Sequence, residues 1–113
     1  MAVKNKILTI PLGSFASNSM SGTYQPVFSG NGIPNACFSL RVINNSTQDV
    51  TISFDGTNDS DYVIKATSQN IPAIYALLPN TLSAQFAQGT QVYVKGTAGT
   101  GTIYISGYYQ PQT

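Results

Sequence analysis

From Phe38 onward the apolar residues of this chain fall on every second position. Phe38, Leu40 and Val42 are separated by Ser39 and Arg41, and Val50, Ile52 and Phe54 by Thr51 and Ser53. Successive side chains of an extended strand point to opposite faces, so each segment predicts a strand that is buried on one side and wet on the other. The same period returns at Val92 to Lys95 and at Ile103 to Ser106. Between them, Ile71 to Pro79 shows neither a clean period of two nor a sustained helical stripe. Its two prolines enclose too short a stretch for a stable helix, so one or two short strands are expected within residues 65 to 88.

The residues between the alternating segments set the expected pairing. Asn44 to Gln48 contains residues that bend a chain by bonding their own backbone, which predicts an antiparallel hairpin. Pairing Val42 with Val50, Leu40 with Ile52 and Phe38 with Phe54 places every large apolar side chain on one face. By the same logic Gly96 to Gly101 turns a second hairpin, with Val94 opposite Ile103 and Val92 opposite Ile105. Tyr93 and Tyr104 then become cross-strand neighbours on its outer face. Residues 11 to 37 are rich in Ser, Gly, Asn and Pro and predict only brief strands, such as one at Tyr24 to Phe28; before them, Ile7 to Ile10 predicts a short strand that Pro11 ends or places at a sheet edge. The expected organisation is one structural domain: a short strand and a Ser/Gly/Asn-rich arm over residues 1–37, and a core over 38–113. About seven or eight short strands separated by turns describe an all-β, antiparallel, jelly-roll-like β-sandwich.

With 113 residues, 42% of them apolar, the chain has enough material for one core without disulfides or metal. Only 8% of residues are charged and the net charge is +1, so little electrostatic repulsion opposes association. Lys4, Lys6, Arg41, Lys65 and Lys95 are scattered, which argues against a nucleic-acid partner. No apolar run approaches the roughly 20 residues that span a bilayer, and the first residues do not read as a signal peptide; the expectation is a soluble chain made in the cytoplasm, with no membrane partner. Cys37 is the one cysteine and is expected as a buried thiol at a strand start.

The residues that carry chemistry are few. The chain has no His and no Glu, and of its four aspartates three lie in Asp55-Gly56-Thr57-Asn58-Asp59-Ser60-Asp61. Three close carboxylates suit a hard cation, but Gly56 follows the first Asp directly and no Glu closes the loop, so the pattern departs from the calcium loop and reads as a solvated turn. A small enzyme would need Asp55 or Asp61 as its acid or base together with a metal. No catalytic residue, metal ligand or cofactor site is therefore assigned. The Asn-x-Ser/Thr triplets that begin at Asn45 and Asn58 are disregarded without a secretion signal. Gly96 to Gly101 joins two strands and lacks the following helix of a phosphate-binding loop.

The succession Val42-Ile43-Asn44-Asn45, Val50-Thr51-Ile52-Ser53-Phe54-Asp55-Gly56, Gly89-Thr90-Gln91-Val92-Tyr93-Val94-Lys95-Gly96 and Gly101-Thr102-Ile103-Tyr104-Ile105 resembles small virion proteins of tailed bacteriophages. The resemblance covers roughly the C-terminal two-thirds of the chain and rests on its strand and turn pattern. It implies a non-enzymatic component of the head, neck or tail, such as a capsid decoration protein. The partners it implies are other virion proteins and copies of this chain, with an arm that orders on docking. Tyr93, Tyr104, Tyr108 and Tyr109 are the expected interface residues, because Tyr is enriched in interface cores. The alternative is a receptor- or carbohydrate-binding module whose exposed tyrosines stack on sugar rings, with hydrogen bonds supplied by the loop from Asp55 to Asp61.

Overall fold

Alternation does produce strands, and the strands form two antiparallel sheets packed face to face. The computed structural model describes residues 7–28, 30, 32–66, 73–77 and 86–110. Among them are nine strands: β1 (Leu8–Thr9), β2 (Gly13–Ala16), β3 (Gln25–Pro26), β4 (Ser39–Ser46), β5 (Val50–Ser53), β6 (Asp61–Val63), β7 (Ala73–Leu77), β8 (Tyr93–Lys95) and β9 (Gly101–Tyr109). A single 3₁₀ turn, Ser17–Ser19, is the one helical element among the described residues. The first sheet runs β1-β9-β4-β7, with β2 following β1 along the same side of β9; the second runs β3-β8-β5-β6. This is an all-β sandwich.

The core lies between the sheets. Leu40 and Val42 of β4 and Ile103 and Ile105 of β9 face Val50 and Ile52 of β5 and Val94 of β8, all essentially without solvent exposure. Burying an aliphatic side chain of this size stabilises the fold by about 1.5–3 kcal/mol. Between these positions Arg41, Ile43, Thr51, Tyr104 and Ser106 point outward and are half-buried.

Both predicted hairpins are corrected. β4 does not pair with β5: Val42 lies opposite Ile105 and Tyr75, and Ile52 opposite Val94 and Asp61. Nor does β8 pair with β9; Val94 lies beside Gln25 and Ile52, and Ile103 beside Phe15 and Asn44. Each link crosses from one sheet to the other. The physical reason is that alternation reports which face is buried, and a face is buried equally well by the opposing sheet, about 10 Å away, as by a shared apolar surface within one sheet.

Asn44 shows how the first crossing is held. The turn expected over residues 44 to 48 starts later, because β4 continues to Ser46 with Asn44 and Ser46 on the inward face. Asn44 is fully buried. Its Nδ2 donates to the carbonyls of Gln48 (2.9 Å), Ile64 (3.0 Å) and Val63 (3.2 Å), and its Oδ1 accepts from the Ser46 amide and hydroxyl. One side chain of the first sheet thus satisfies the backbone at the end of β6 in the second. The two crossings also meet: the Thr47 amide donates to the Thr100 carbonyl, and the Thr100 amide to Thr47 Oγ1, each at 3.0 Å. Gly101 enters β9 with φ +98°, a left-handed conformation that favours glycine.

The N-terminal stretch is not an arm outside the core. Its strands are short, as expected, and Pro11 does separate β1 from β2. Yet β1 and β2 pair with β9, β3 pairs with β8, and Ile10, Met20 and Ile33 are core residues. β1, β2 and β3 therefore complete both sheets, and position 37 is no boundary. Cys37 is a buried free thiol just before β4, bridged through its backbone to Phe86. Burial pushes its thiol up in pKa, which keeps it protonated and unreactive. Much of the segment from 65 to 88 lies outside the described residues; β7 is the strand seen within it.

Candidate functional site

A sandwich presents two outer faces, and here they differ in chemistry. On the first sheet, Ser14, Tyr104, Ile43 and Ile74 lie directly across β2, β9, β4 and β7. Ile74 is 57% exposed, and Ile43 and Tyr104 are half-buried. One register step along, Arg41 Nε donates to Ser106 Oγ at 3.2 Å, so the guanidinium lies over the sheet. Tyr108 extends the same row of β9 outward-facing residues.

The second sheet presents polar and aromatic groups in one row. Thr51 lies between its direct partners Tyr62 on β6 and Lys95 on β8, and the register of β3 with β8 brings Tyr24 beside Lys95. Lys95 Nζ sits 4.6 Å from the centre of the Tyr24 ring and 3.2 Å from Asp59 Oδ1, and the Tyr24 hydroxyl donates to the same carboxylate oxygen. Partial burial of the Tyr24 phenol, together with the Asp59 charge beside it, raises its pKa to about 12. The two donors hold the Asp59 carboxylate below its ordinary pKa. An open depression of about 500 Å³ lies beside this cluster, lined by Thr51, Asp59, Ser60, Asp61 and Tyr62.

The loop from Phe54 to Ser60 is the turn of a hairpin between β5 and β6, in which Val50 pairs with Val63. Asp55 folds it. Its Oδ1 accepts from the amides of Thr57 and Asn58, each at 2.8 Å, and from Ser53 Oγ; its Oδ2 accepts from Asn58 Nδ2. Those donors stabilise the ionised carboxylate and lower its pKa strongly. With both oxygens engaged by their own loop and Asp59 engaged by Lys95 and Tyr24, the carboxylates diverge. Among the described residues no group of three or more His, Cys, Asp or Glu comes together as metal ligands.

The four predicted interface tyrosines do not form one surface. Tyr93 and Tyr104 are on opposite outer faces, because β8 and β9 belong to different sheets. Tyr93 packs its ring against Gly56 of the folded loop, the arrangement of a side chain lying under a turn. Tyr109 packs against the core. Only Tyr104 and Tyr108 share a face. Ile43, Ile74, Tyr62, Thr51 and Lys95 were not anticipated. Ile43 carried a signal, being the apolar residue on the wet side of an alternating strand; the others are brought together by register alone.

Among the described residues no helix is long and apolar enough to cross a membrane. No protein-family model, curated protein or solved structure matches the chain.

Proposed function

We propose that this chain is a non-enzymatic structural protein of a tailed bacteriophage virion, a capsid decoration or cementing protein or a neck or tail component. It works by burying surface against copies of itself or against a neighbouring virion protein, and it is made in the host cytoplasm. The observation that carries the reading is the outer face of the first sheet, where Ile43, Ile74 and Tyr104 lie side by side on a body with few charges. Apolar and aromatic groups gathered on one face, with the nearest charge tied to Ser106, are the makings of an interface core. The strand and turn succession that resembles small virion proteins supports the biological setting. The non-enzymatic reading rests on the lack of His and Glu and on the engagement of Asp55 and Asp59 in structural bonds.

The experiment is the mass of the purified chain in solution, by light scattering coupled to size exclusion at several concentrations. The expected result is a stable trimer, pentamer or larger ring. A monodisperse monomer at every concentration would overturn self-assembly.

A further inference from the structure

We propose that the depression on the outer face of the second sheet is a saccharide-binding site, built on Tyr62 and its neighbours Thr51, Asp59, Ser60 and Asp61. This goes beyond assembly, which uses the opposite face of the sandwich.

Tyr62 is 59% exposed, yet it is firmly seated. Its strand neighbours Asp61 and Val63 pair with Ile52 and Val50, and Val63 is anchored in the core. The ring is therefore presented from a regular strand of a sheet. An aromatic face carries negative charge density, which attracts the weakly positive C–H groups on the flat side of a pyranose ring. The remaining lining residues are hydroxyls and carboxylates without an aliphatic side chain among them. They suit the hydroxyl groups around the edge of the same sugar, as donors to carboxylate oxygen and as partners of Thr51 and Ser60.

The Asp59 carboxylate is already positioned. Lys95 and the Tyr24 hydroxyl hold one oxygen, Oδ1, and they also balance its charge, which lowers the demand for a cationic ligand. Its other oxygen remains an oriented acceptor. An anion is disfavoured by the two carboxylates. A divalent cation needs six or more oxygen ligands, and no group of three acidic ligands converges among the described residues. A ligand with an apolar face and a neutral polar edge is what remains, and a sugar has both. A shallow, open site of this kind binds weakly per copy, in the millimolar range, and gains strength when several copies are displayed together.

The test is saturation-transfer difference NMR, which works on a monomer or a large assembly, so failure of self-association and failure of sugar binding are read separately. The probes are chitohexaose, cellohexaose and mannohexaose, with hexalysine as the cationic comparison. At least one hexasaccharide is expected to receive saturation and to be displaced by excess of itself. Tyr62→Ala should weaken that binding at least tenfold, Tyr62→Phe should retain it, and Tyr104→Ala on the opposite face should leave it unchanged. Melting of Tyr62→Ala should match the parent, since the ring is exposed. Absence of transfer to every sugar at millimolar concentration, transfer undiminished in Tyr62→Ala, or binding of hexalysine in place of the sugars would each overturn the proposal.

Discussion

The two outer faces of this sandwich are built on the same strand geometry and do different things with it. On the first sheet the outward row is Ser14, Tyr104, Ile43 and Ile74, and Arg41 beside it is laid down against Ser106. On the second it is Tyr62, Thr51, Lys95 and Tyr24, tied to Asp59 by an ion pair and a hydrogen bond. Apolar area is non-directional, so the first face suits a broad, flat partner. Oriented carboxylates and hydroxyls around an exposed ring are directional, so the second face suits a small ligand with a matching pattern. The lesson is that low overall charge does not make a surface uniform: on the second face Lys95 and Asp59 are fixed by each other and by Tyr24.

The comparison depends on both faces belonging to one rigid body, and Asn44 joins them. Asn44→Ala leaves the carbonyls of Val63, Ile64 and Gln48 without their shared donor. The expected loss is about 3 kcal/mol or more in urea unfolding, whereas Asn45→Ala, facing outward on the same strand, should change stability by about 0.5 kcal/mol or less. Equal effects of the two substitutions would break the account of the crossing.

Ile74→Asp places a charge in the middle of the apolar row and is expected to weaken self-association at least tenfold, about 1.4 kcal/mol, in light scattering. Tyr62→Ala, on the other sheet, should leave the mass unchanged. A reversed pattern would exchange the roles of the faces.

The Tyr24, Asp59 and Lys95 cluster predicts a pH signature confined to the second face. Tyr24 has its pKa raised from 10.0 to about 12, so its contribution to stability is complete below pH 10 and is lost as the pH rises through 12. Asp59 has its pKa lowered, so its contribution is present above the ordinary carboxylate value of 3.8 and is lost as pH falls through the lower, folded value. Ultraviolet titration should show Tyr24 ionising late, and Asp59→Asn should bring it part of the way back, since burial of the phenol remains. The ion pair itself is exposed, and Lys95→Ala is expected to cost about 0.2–1 kcal/mol.

The smallest effect lies at the end where the crossings meet. Ser17 Oγ is the one buried side-chain polar atom without a hydrogen-bond partner among the described residues. Ser17→Ala should be neutral or stabilising by up to about 1 kcal/mol in thermal unfolding, because it removes an uncompensated buried hydroxyl.

Much of this was legible in the residues. The inward sets Leu40 and Val42, Val50 and Ile52, Val92 and Val94, and Ile103 and Ile105 are buried as their alternation predicts, but the pattern fails at its ends, where Phe38 and Phe54 are half-buried and Ser39 and Ser53, expected on the wet side, are buried. The Asp55-Gly56 turn, the stop at Pro11 and the buried Cys37 were readable as well. Of the brief strands near the N-terminus β1 and β3 were expected and β2 was not, and their places within both sheets were not legible, since strands of two to four residues carry too little pattern to show what they pair with. The sites were less legible. Tyr62, Thr51 and Lys95 come from three strands and Tyr24 from the residue before a fourth, spread across the chain, and they share no local motif.

What the sequence by itself determined is therefore the class of the fold and the side of each strand that faces inward, because the two-residue period is a property of the extended backbone and needs no partner to express it. Which strands pair, and so which outward residues become neighbours, was decided only by the tertiary structure. Cross-strand contacts are worth roughly 0.2–1 kcal/mol each and differ little between candidate partners. The choice between a hairpin and a crossing then fell to groups that no period reveals: the Asn44 amide satisfying backbone in the opposite sheet, and the two crossings bonding to each other through Thr47 and Thr100.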